Sequence, residues 1–338
     1  MEIKRDALLK RLMDLRHNGM IKVVTGMRRC GKSYLLFNLF SDALKEGGVD
    51  DAHIVQVNLE DHRNKILRDP DKLLEYIDNR LKDDQVHYVI LDEVQLVNEF
   101  EDVLNSYLQL KNADVYVTGS NARFLSKDVI TEFRGRGLEV RIRPLSFREI
   151  RGARPEVPIE LLWIEYMTYG GLPQVLTMAS DQEKVGYLEG LFKHTYLKDI
   201  KERYDIKLDG DLEELISTLA SSVGGLTNPR KLADTFRTVK KSTISQDTIK
   251  VYIDYLQDAF IVERALRFDI KGKRYIDTPS KFYFEDLGLR NALLNFRQVE
   301  KTHLMENALY NELRARGMAV DVGEVIWNTK DAEGKKIR

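Results

Sequence analysis

Residues 23–33, Val23-Val24-Thr25-Gly26-Met27-Arg28-Arg29-Cys30-Gly31-Lys32-Ser33, carry the spacing G-x-x-x-x-G-K-[ST]. That spacing describes a loop that cradles phosphate, and its surroundings fit. Ile21 to Val24 is a short apolar run, as a buried strand has. From Lys32 onward, Leu35, Leu36, Leu39, Phe40 and Leu44 recur as on an amphipathic helix. A strand, a glycine turn and a helix start together present backbone N–H groups and a positive dipole end to an anion. Gly26 and Gly31 let the backbone turn tightly. Lys32 supplies a point charge for β- and γ-phosphates, and the Ser33 hydroxyl can ligate Mg2+. Met27, Arg28, Arg29 and Cys30 complete the expected nucleotide-binding segment, Gly26 to Ser33.

Some sixty residues on, Tyr88-Val89-Ile90-Leu91-Asp92-Glu93 brings two carboxylates to the end of an apolar strand. Asp92 is expected in the Mg2+ shell, and Glu93 is expected to orient or deprotonate an attacking water. The next strand candidate, from Asp114, ends in Thr118-Gly119-Ser120-Asn121. Ligands of open α/β sheets bind at strand C-terminal ends, so Ser120 or Asn121 is placed to sense the γ-phosphate or the water. Small polar residues also end strands because turns need them. Phe133-Arg134-Gly135-Arg136-Gly137 then precedes an alternating strand with Leu138, Val140 and Ile142 on one face. Arg134 and Arg136 are candidates for an arginine finger, in cis or from a neighbouring subunit. The alternative is a solvated basic loop.

Whole-chain properties narrow the class. With 338 residues, two or three domains are expected. Apolar residues at 43% and charged residues at 32% describe a soluble globular chain. A net charge of −1 confines any nucleic-acid surface to a local patch. The one cysteine, Cys30, rules out an internal disulfide and fits a reducing cytoplasm. Its neighbours Arg28, Arg29 and Lys32 would favour a reactive thiolate; the alternative is a small filler side chain. No apolar run reaches about 18 residues, so no membrane span is expected. His17, His53, His62, His87, His194 and His303 lack metal-ligand spacing and are read as ordinary surface or core histidines.

Past Pro144 the pattern turns helical. Residues 161–208 are Tyr-rich and contain Tyr169-Gly170-Gly171-Leu172-Pro173-Gln174. Helices are expected over 212–219, 230–237 and 247–261, and strands over 266–270 and 281–284, with Lys271-Gly272-Lys273-Arg274 between them. Three helices and a basic hairpin make a winged helix-turn-helix. Residues 228–282 hold 12 Lys+Arg against 7 Asp+Glu, a local excess compatible with DNA phosphates. Winged helices also serve as protein-contact modules or lids.

Thr25 to Ser33, Leu91-Asp92-Glu93-Val94-Gln95, Thr118-Gly119-Ser120-Asn121, Gly135-Arg136 and Pro144-Leu145-Ser146-Phe147-Arg148-Glu149, in this order, resemble a prokaryotic AAA-type ATPase family. Its members join an N-terminal ATPase to a C-terminal domain of unknown function, and the resemblance covers essentially the whole chain. It implies an α/β fold: an ASCE-type P-loop NTPase parallel sheet with helices on both faces, then a helical lid and the winged helix. It places the sensor strand between the P-loop strand and the Walker B strand. It puts Pro173 near adenine, where a plain helix–helix turn is the alternative. Phe282 to Leu289 and Leu304 to Asn307 resemble the region where the family continues into a restriction-endonuclease-like core, with Glu306 on its helix glutamate. The chain stops at Arg338 before any E-x-K motif, so no nuclease activity is expected. Residues 300–338 are expected to be loosely packed or paired with another chain.

The expected domains are therefore 1–144 (ATPase), 145–208 (lid), 209–290 (winged helix) and 291–338 (the start of a truncated nuclease-like region). The expected activity is a cytoplasmic, Mg2+-dependent ATPase whose nucleotide state repositions the winged helix. The expected partners are ATP, DNA and further copies of the chain, with no membrane. A DNA-remodelling motor and a nucleotide-gated switch with negligible turnover are the rivals.

Overall fold

The computed structural model describes residues 3–119, 133, 135–206, 209–240, 244–269, 274–297, 301–323, 329–330 and 336–337. Five parallel strands form its central sheet: β1 (Ile21–Thr25), β2 (Ile54–Asn58), β3 (His87–Asp92), β4 (Ala113–Gly119) and β5 (Gly137–Arg141). The order is β2-β3-β4-β1-β5. The strand after the paired carboxylates thus lies between β1 and β3, as the resemblance implied. All four pairings are parallel, with Val23 opposite Val117 and Leu91 opposite Val117 in register.

Side chains alternate along each strand, and both faces are buried. Ile21, Val23, Val89, Leu91, Val115 and Val117 enter one core with helices α3 (Pro70–Asp78) and α4 (Phe100–Tyr107). Val24, Tyr88, Ile90 and Tyr116 enter the other, with α1 (Asp6–Asp14) and α2, residues 32–46. α2 runs from Lys32–Tyr34 through a π-helical stretch, Leu35–Phe40, to Ser41–Glu46. Two covered faces explain why the strands read as near-continuous apolar runs. α3 starts at Pro70, three residues before its first buried apolar position, Leu73. Asp69 caps it by accepting the Lys72 N–H, and Pro70 takes the first turn, where its missing N–H costs nothing.

One strand position runs against the pattern. Lys22 in β1 is fully buried and ion-paired with Asp114 of β4. Asp114 also accepts from the Tyr116 hydroxyl at 3.0 Å and the His17 backbone N–H at 3.1 Å. Burial lowers the Lys22 ammonium pKa, and the Asp114 charge opposes that shift. A buried charge needs such partners.

After β5 come α5 (Phe147–Ala153), α6 (Ile159–Tyr169) and α7, residues 181–204, which contains the π-helical stretch Phe192–Leu197. Ser146 and Glu149 form a capping box at the head of α5. Three helices follow: α8 (Asp209–Ser221), α9 (residues 229–240) and α10 (Gln246–Asp258). They lead into an antiparallel ribbon, β6 (Val262–Asp269) and β7 (Arg274–Phe284). The helices fall where the apolar spacing places them. The ribbon is longer than expected because charged positions at its base are held by distant partners. Glu263 pairs with Arg143 at 2.6 Å and with Arg314 at 2.7 Å.

The C-terminal helices α11 (Leu287–Leu293) and α12 (Lys301–Ala315) pack onto this ribbon. Asn307 is fully buried; it accepts the Phe284 N–H at 2.9 Å and donates to the Phe284 carbonyl at 2.8 Å. Tyr310 stacks on Tyr283 with centroids 4.2 Å apart. The expected loose packing of residues 300–338 therefore fails for α12, which its buried amides Asn307 and Asn311 anchor to the end of β7. Beyond α12, Val322–Gly323 pairs in parallel with β6, and residues 324–328 lie outside the described residues. Glu306 is ion-paired with Lys281 at 2.6 Å and accepts from the Tyr283 hydroxyl at 2.6 Å. Among the described residues, no helix is long and apolar enough to cross a membrane.

Candidate nucleotide-binding site

The C-terminal ends of β1, β3 and β4 meet at one edge of the sheet. Gly26 leaves β1 with φ +150°, and a Cβ there would overlap the Ile142 carbonyl oxygen, so the loop can pass only as glycine. Ile142 donates its N–H to the Thr25 carbonyl at 2.7 Å, which pins the end of β5 over the loop. Gly31 sits in the left-handed region at φ +99° just before α2 begins. The loop and α2 therefore open onto a cavity of about 590 Å3 lined by Arg28, Arg29, Gly31, Lys32, Ser33, Glu60, Glu93 and Pro173, with α7 on its far wall. That volume lies within the range of small-molecule sites.

The polar groups in this cavity form one connected set. The Ser33 hydroxyl lies 2.9 and 2.8 Å from the two Asp92 carboxylate oxygens. Thr118, at the end of β4, donates to Asp92 Oδ1 at 2.6 Å, and its oxygen accepts the Glu93 N–H at 2.9 Å. Burial raises the Asp92 carboxyl pKa, and the Thr118 and Ser33 hydrogen bonds oppose that rise. Glu93 adopts φ +55°, and Gln95 donates to its carboxylate. Lys32 is 5% exposed. Its Nζ donates to the Gly26 and Met27 carbonyls at 3.0 and 3.1 Å and lies 4.0 Å from Glu93 Oε1. A hydroxyl beside a buried carboxylate is a donor set that suits Mg2+. An ammonium folded onto its own loop is placed to turn to a phosphate.

The helical segments after β5 close over the loop. Tyr196 donates its hydroxyl to the Arg28 carbonyl at 2.7 Å, and Asp199 pairs with Arg28 Nε at 2.9 Å. Pro173 Cγ would lie 3.8 Å from a Cβ at Gly31, so the proline stands over the glycine of the loop. Arg5, 6% exposed, donates to the Cys30 carbonyl at 3.1 Å and the Arg143 carbonyl at 2.8 Å, and pairs with Glu149 at 2.9 Å. One arginine thus fixes the back of the loop to the first turn of α5.

Lys32, Ser33, Asp92, Glu93, Arg28, Arg29, Gly31 and Pro173 come together here. Met27 and Cys30 belong to the loop by backbone, but their side chains are fully buried in the core. The thiolate expectation for Cys30 is corrected. Burial raises its pKa, and although Lys32 and Arg5 pull the other way, its Sγ lies 3.9 Å from the Ile142 carbonyl. Arg136 does not join the site. Its carbonyl accepts the Ile21 N–H at 2.8 Å, at the opposite edge of the sheet. Five residues of strand, roughly 16 Å, separate it from Gly26, so Arg136 cannot serve its own chain's loop. Ser120, Asn121 and Arg134 lie outside the described residues.

Sequence reasoning passed over four members. Thr118 opens the Thr-Gly-Ser-Asn stretch but reads, within it, as an ordinary strand residue. Gln95 stood in the Leu91–Gln95 box without a role. Arg5 and Tyr196 carried no local signal at all.

Comparison with known proteins agrees with this geometry. Residues 18–151 match the model of an AAA domain, and residues 160–300 match a domain of unknown function, DUF8612. An uncharacterized protein of Haemophilus influenzae is 34% identical over 328 residues, covering 96% of this chain and 81% of that protein. An uncharacterized protein of Methanocaldococcus jannaschii is 28% identical over 310 residues, covering 88% and 67%. The fold resembles the Walker-type ATPase PABY2304 of Pyrococcus abyssi, with a TM-score of 0.60 at 13% identity, over 87% of this chain and 96% of that one. Sheet order, loop and sequence matches converge, and the chain belongs to the prokaryotic AAA-type P-loop ATPase family in which an AAA domain is followed by a domain of unknown function.

Proposed function

We propose that this chain binds ATP with Mg2+ and hydrolyses it, and that the nucleotide state is passed to the three helices and ribbon, acting as a winged helix on DNA. The observation that carries the reading is the connected set Lys32, Ser33, Asp92, Thr118 and Glu93 at one sheet edge. Lys32 and the loop N–H groups of Gly26 to Ser33 bind the phosphates. Ser33 and Asp92 hold Mg2+, which when bound neutralises charge on the β- and γ-phosphates. Glu93 accepts a proton from the attacking water and orients it. Thr118 holds Asp92 and the Glu93 backbone in one arrangement. Asn121 senses the γ-phosphate in this reading.

The position of Arg136 favours an arginine finger that acts on a neighbouring copy, from Arg136 or Arg134, and so a homo-oligomer. Pro173, Tyr196 and Asp199 let the lid respond to what the loop holds. A cytoplasmic location belongs to the same reading, given the chain's single, buried thiol.

Thr118→Val keeps shape but removes the donor to Asp92 and the acceptor for the Glu93 N–H. Turnover should fall at least about tenfold, while ATP affinity stays within about threefold, because no phosphate contact is lost. Steady-state ATPase rates and equilibrium ATP titration check this. A variant with wild-type turnover would remove Thr118 from the mechanism.

The second reading, a nucleotide-gated switch with negligible turnover, is favoured by the Gln95–Glu93 tether, which occupies one oxygen of the base with a hydrogen bond of its own. ATPase rates with and without DNA separate the two: stimulation supports the DNA reading, and slow unstimulated turnover supports the switch.

The DNA proposal rests on the positive excess over 228–282. Arg274 opens β7, and Lys271 and Lys273 lie outside the described residues. Replacing all three with Ala should weaken DNA binding across sequences and reduce the salt slope by up to about three units, roughly one per phosphate contact. Fluorescence anisotropy over a salt series measures it. An unchanged slope, or no binding by wild type at low salt, would return this module to a protein-contact role.

A further inference from the structure

We propose a second metal site, for a borderline divalent transition ion of the Zn2+ class, formed by His53, Asp83 and His87 at the sheet edge remote from the nucleotide. The histidines are 34 positions apart in sequence, and the parallel register brings them together. Ile54 of β2 pairs with Tyr88 of β3, so His53 and His87 stand side by side at the strand starts. Their ring centroids are 4.7 Å apart. Asp83, in the segment between α3 and β3, comes up against both, 3.0 Å from His53 Nε2 and 3.9 Å from His87 Nε2. One ligand atom from each residue lies within 4.8 Å of the others. A tetrahedral ion with bonds near 2.1 Å spaces its ligands by about 3.4 Å, close to the 3.0 Å from Asp83 Oδ2 to His53 and the 3.9 Å from Asp83 Oδ1 to His87.

The hydrogen-bond pattern suits an ion. His87 Nδ1 lies 2.9 Å from the Gln85 carbonyl, which can only accept. Nδ1 therefore carries the proton, and Nε2 presents a lone pair towards Asp83. Asp83 is held in turn. Gln85 donates its N–H to Asp83 Oδ1 at 2.9 Å, and the Asn112 amide donates to the Asp83 carbonyl at 2.9 Å. At present His53 Nε2–H fills the gap to the carboxylate. The ion takes that proton's place at Nε2, and in the bound form Nδ1 carries the imidazole proton, so His53 binds as a neutral ligand. His87 is buried, His53 largely so, and Asp83 is half exposed, which leaves a water-accessible fourth position. Two imidazoles and one carboxylate favour Zn2+ over Mg2+. The Asp92 end of β3 is roughly 16 Å away along the strand, so this site is separate from the one proposed for Mg2+.

The test is titration of the metal-free full chain with Zn2+, in millimolar Mg2+ and without nucleotide, against a chromophoric chelator. One equivalent should bind with micromolar affinity or better, more weakly as the pH falls. Asp83→Asn and His53→Ala, both at the surface side of the cluster, should each lose at least about tenfold in affinity with unchanged circular dichroism. His62→Ala, an exposed histidine elsewhere, should bind like wild type. No stoichiometric Zn2+ in the wild type, or equal affinity in Asp83→Asn and His53→Ala, would overturn the proposal.

Discussion

Lys32→Ala protein is expected to bind ATP at least about a hundredfold more weakly than the wild type. Lys32 is nearly buried, and its ammonium already sits among loop carbonyls and Glu93. Removing one partner of a desolvated charge pair costs roughly 2–5 kcal/mol, and about 3 kcal/mol is a hundredfold in affinity. Gly26, Gly31 and the Ser33–Asp92 contact keep the turn of the loop, although the Gly26 and Met27 carbonyls lose the ammonium as a donor. Glu93→Gln is the complementary change. The amide retains an acceptor for the Gln95 contact but is no base, so ATP should bind normally while turnover falls by about 10²–10⁴. Calorimetric ATP titration and single-turnover hydrolysis separate the two variants. Equal ATP affinity in wild type and Lys32→Ala would sink the nucleotide assignment. Full turnover in Glu93→Gln would sink only the role of Glu93.

What was legible in the sequence follows from the range of each interaction. The loop and the Asp92-Glu93 pair are local patterns, and local geometry turns them into a site. Strand positions follow from period-2 burial, and the helices before the ribbon from period 3.6. The order of strands has no local signature and came from resemblance. Lys22 shows the limit. A lysine in a strand reads as a solvent-facing position, and its partner Asp114 is 92 residues away. The same holds for Arg5, which reaches Arg143 and Glu149, and for His53 and His87, which meet only through strand register. Cys30 misled for a related reason. The pull of its neighbour Lys32 is outweighed by burial in the core that surrounds it. For Arg136, sequence proximity to a strand does not say at which end of that strand it stands, so the choice between its own loop and a neighbouring copy's was not legible.

Asp286→Ala should cost about 4 kcal/mol or more and, in what still folds, weaken ATP binding at a distance. Asp286 follows the ribbon and caps α11. Its fully buried carboxylate accepts the Gly171 N–H at 2.7 Å and the Leu289 N–H at 2.9 Å, and also holds the Leu172 and Gly288 N–H groups. Alanine leaves these donors unpaired, at roughly 1–3 kcal/mol each, against a total stability of about 5–15 kcal/mol. The contact is tight by construction. A Cβ at Gly171 would overlap the Leu145 carbonyl oxygen, so the loop cannot retreat. Gly171 stands two residues before Pro173 in the nucleotide cavity. On the other side of Asp286, Glu285 is fully buried and pairs with Arg141 and Arg143 at the end of β5. The C-terminal module is thus wired to the cavity through two adjacent carboxylates. Burial pushes the Asp286 carboxyl from 3.8 up to about 6, against the pull of its four backbone donors. A carboxyl raised on folding favours the native state below about pH 4, and that advantage is lost as the pH rises through about 6. The stability gap between wild type and Asp286→Ala should therefore widen by up to about 3 kcal/mol between pH 7 and pH 4. Denaturant unfolding at the two pH values, with ATP titration at pH 7, measures both effects. A loss under about 1 kcal/mol, or a gap that narrows in acid, would mean that Asp286 does not carry the joint.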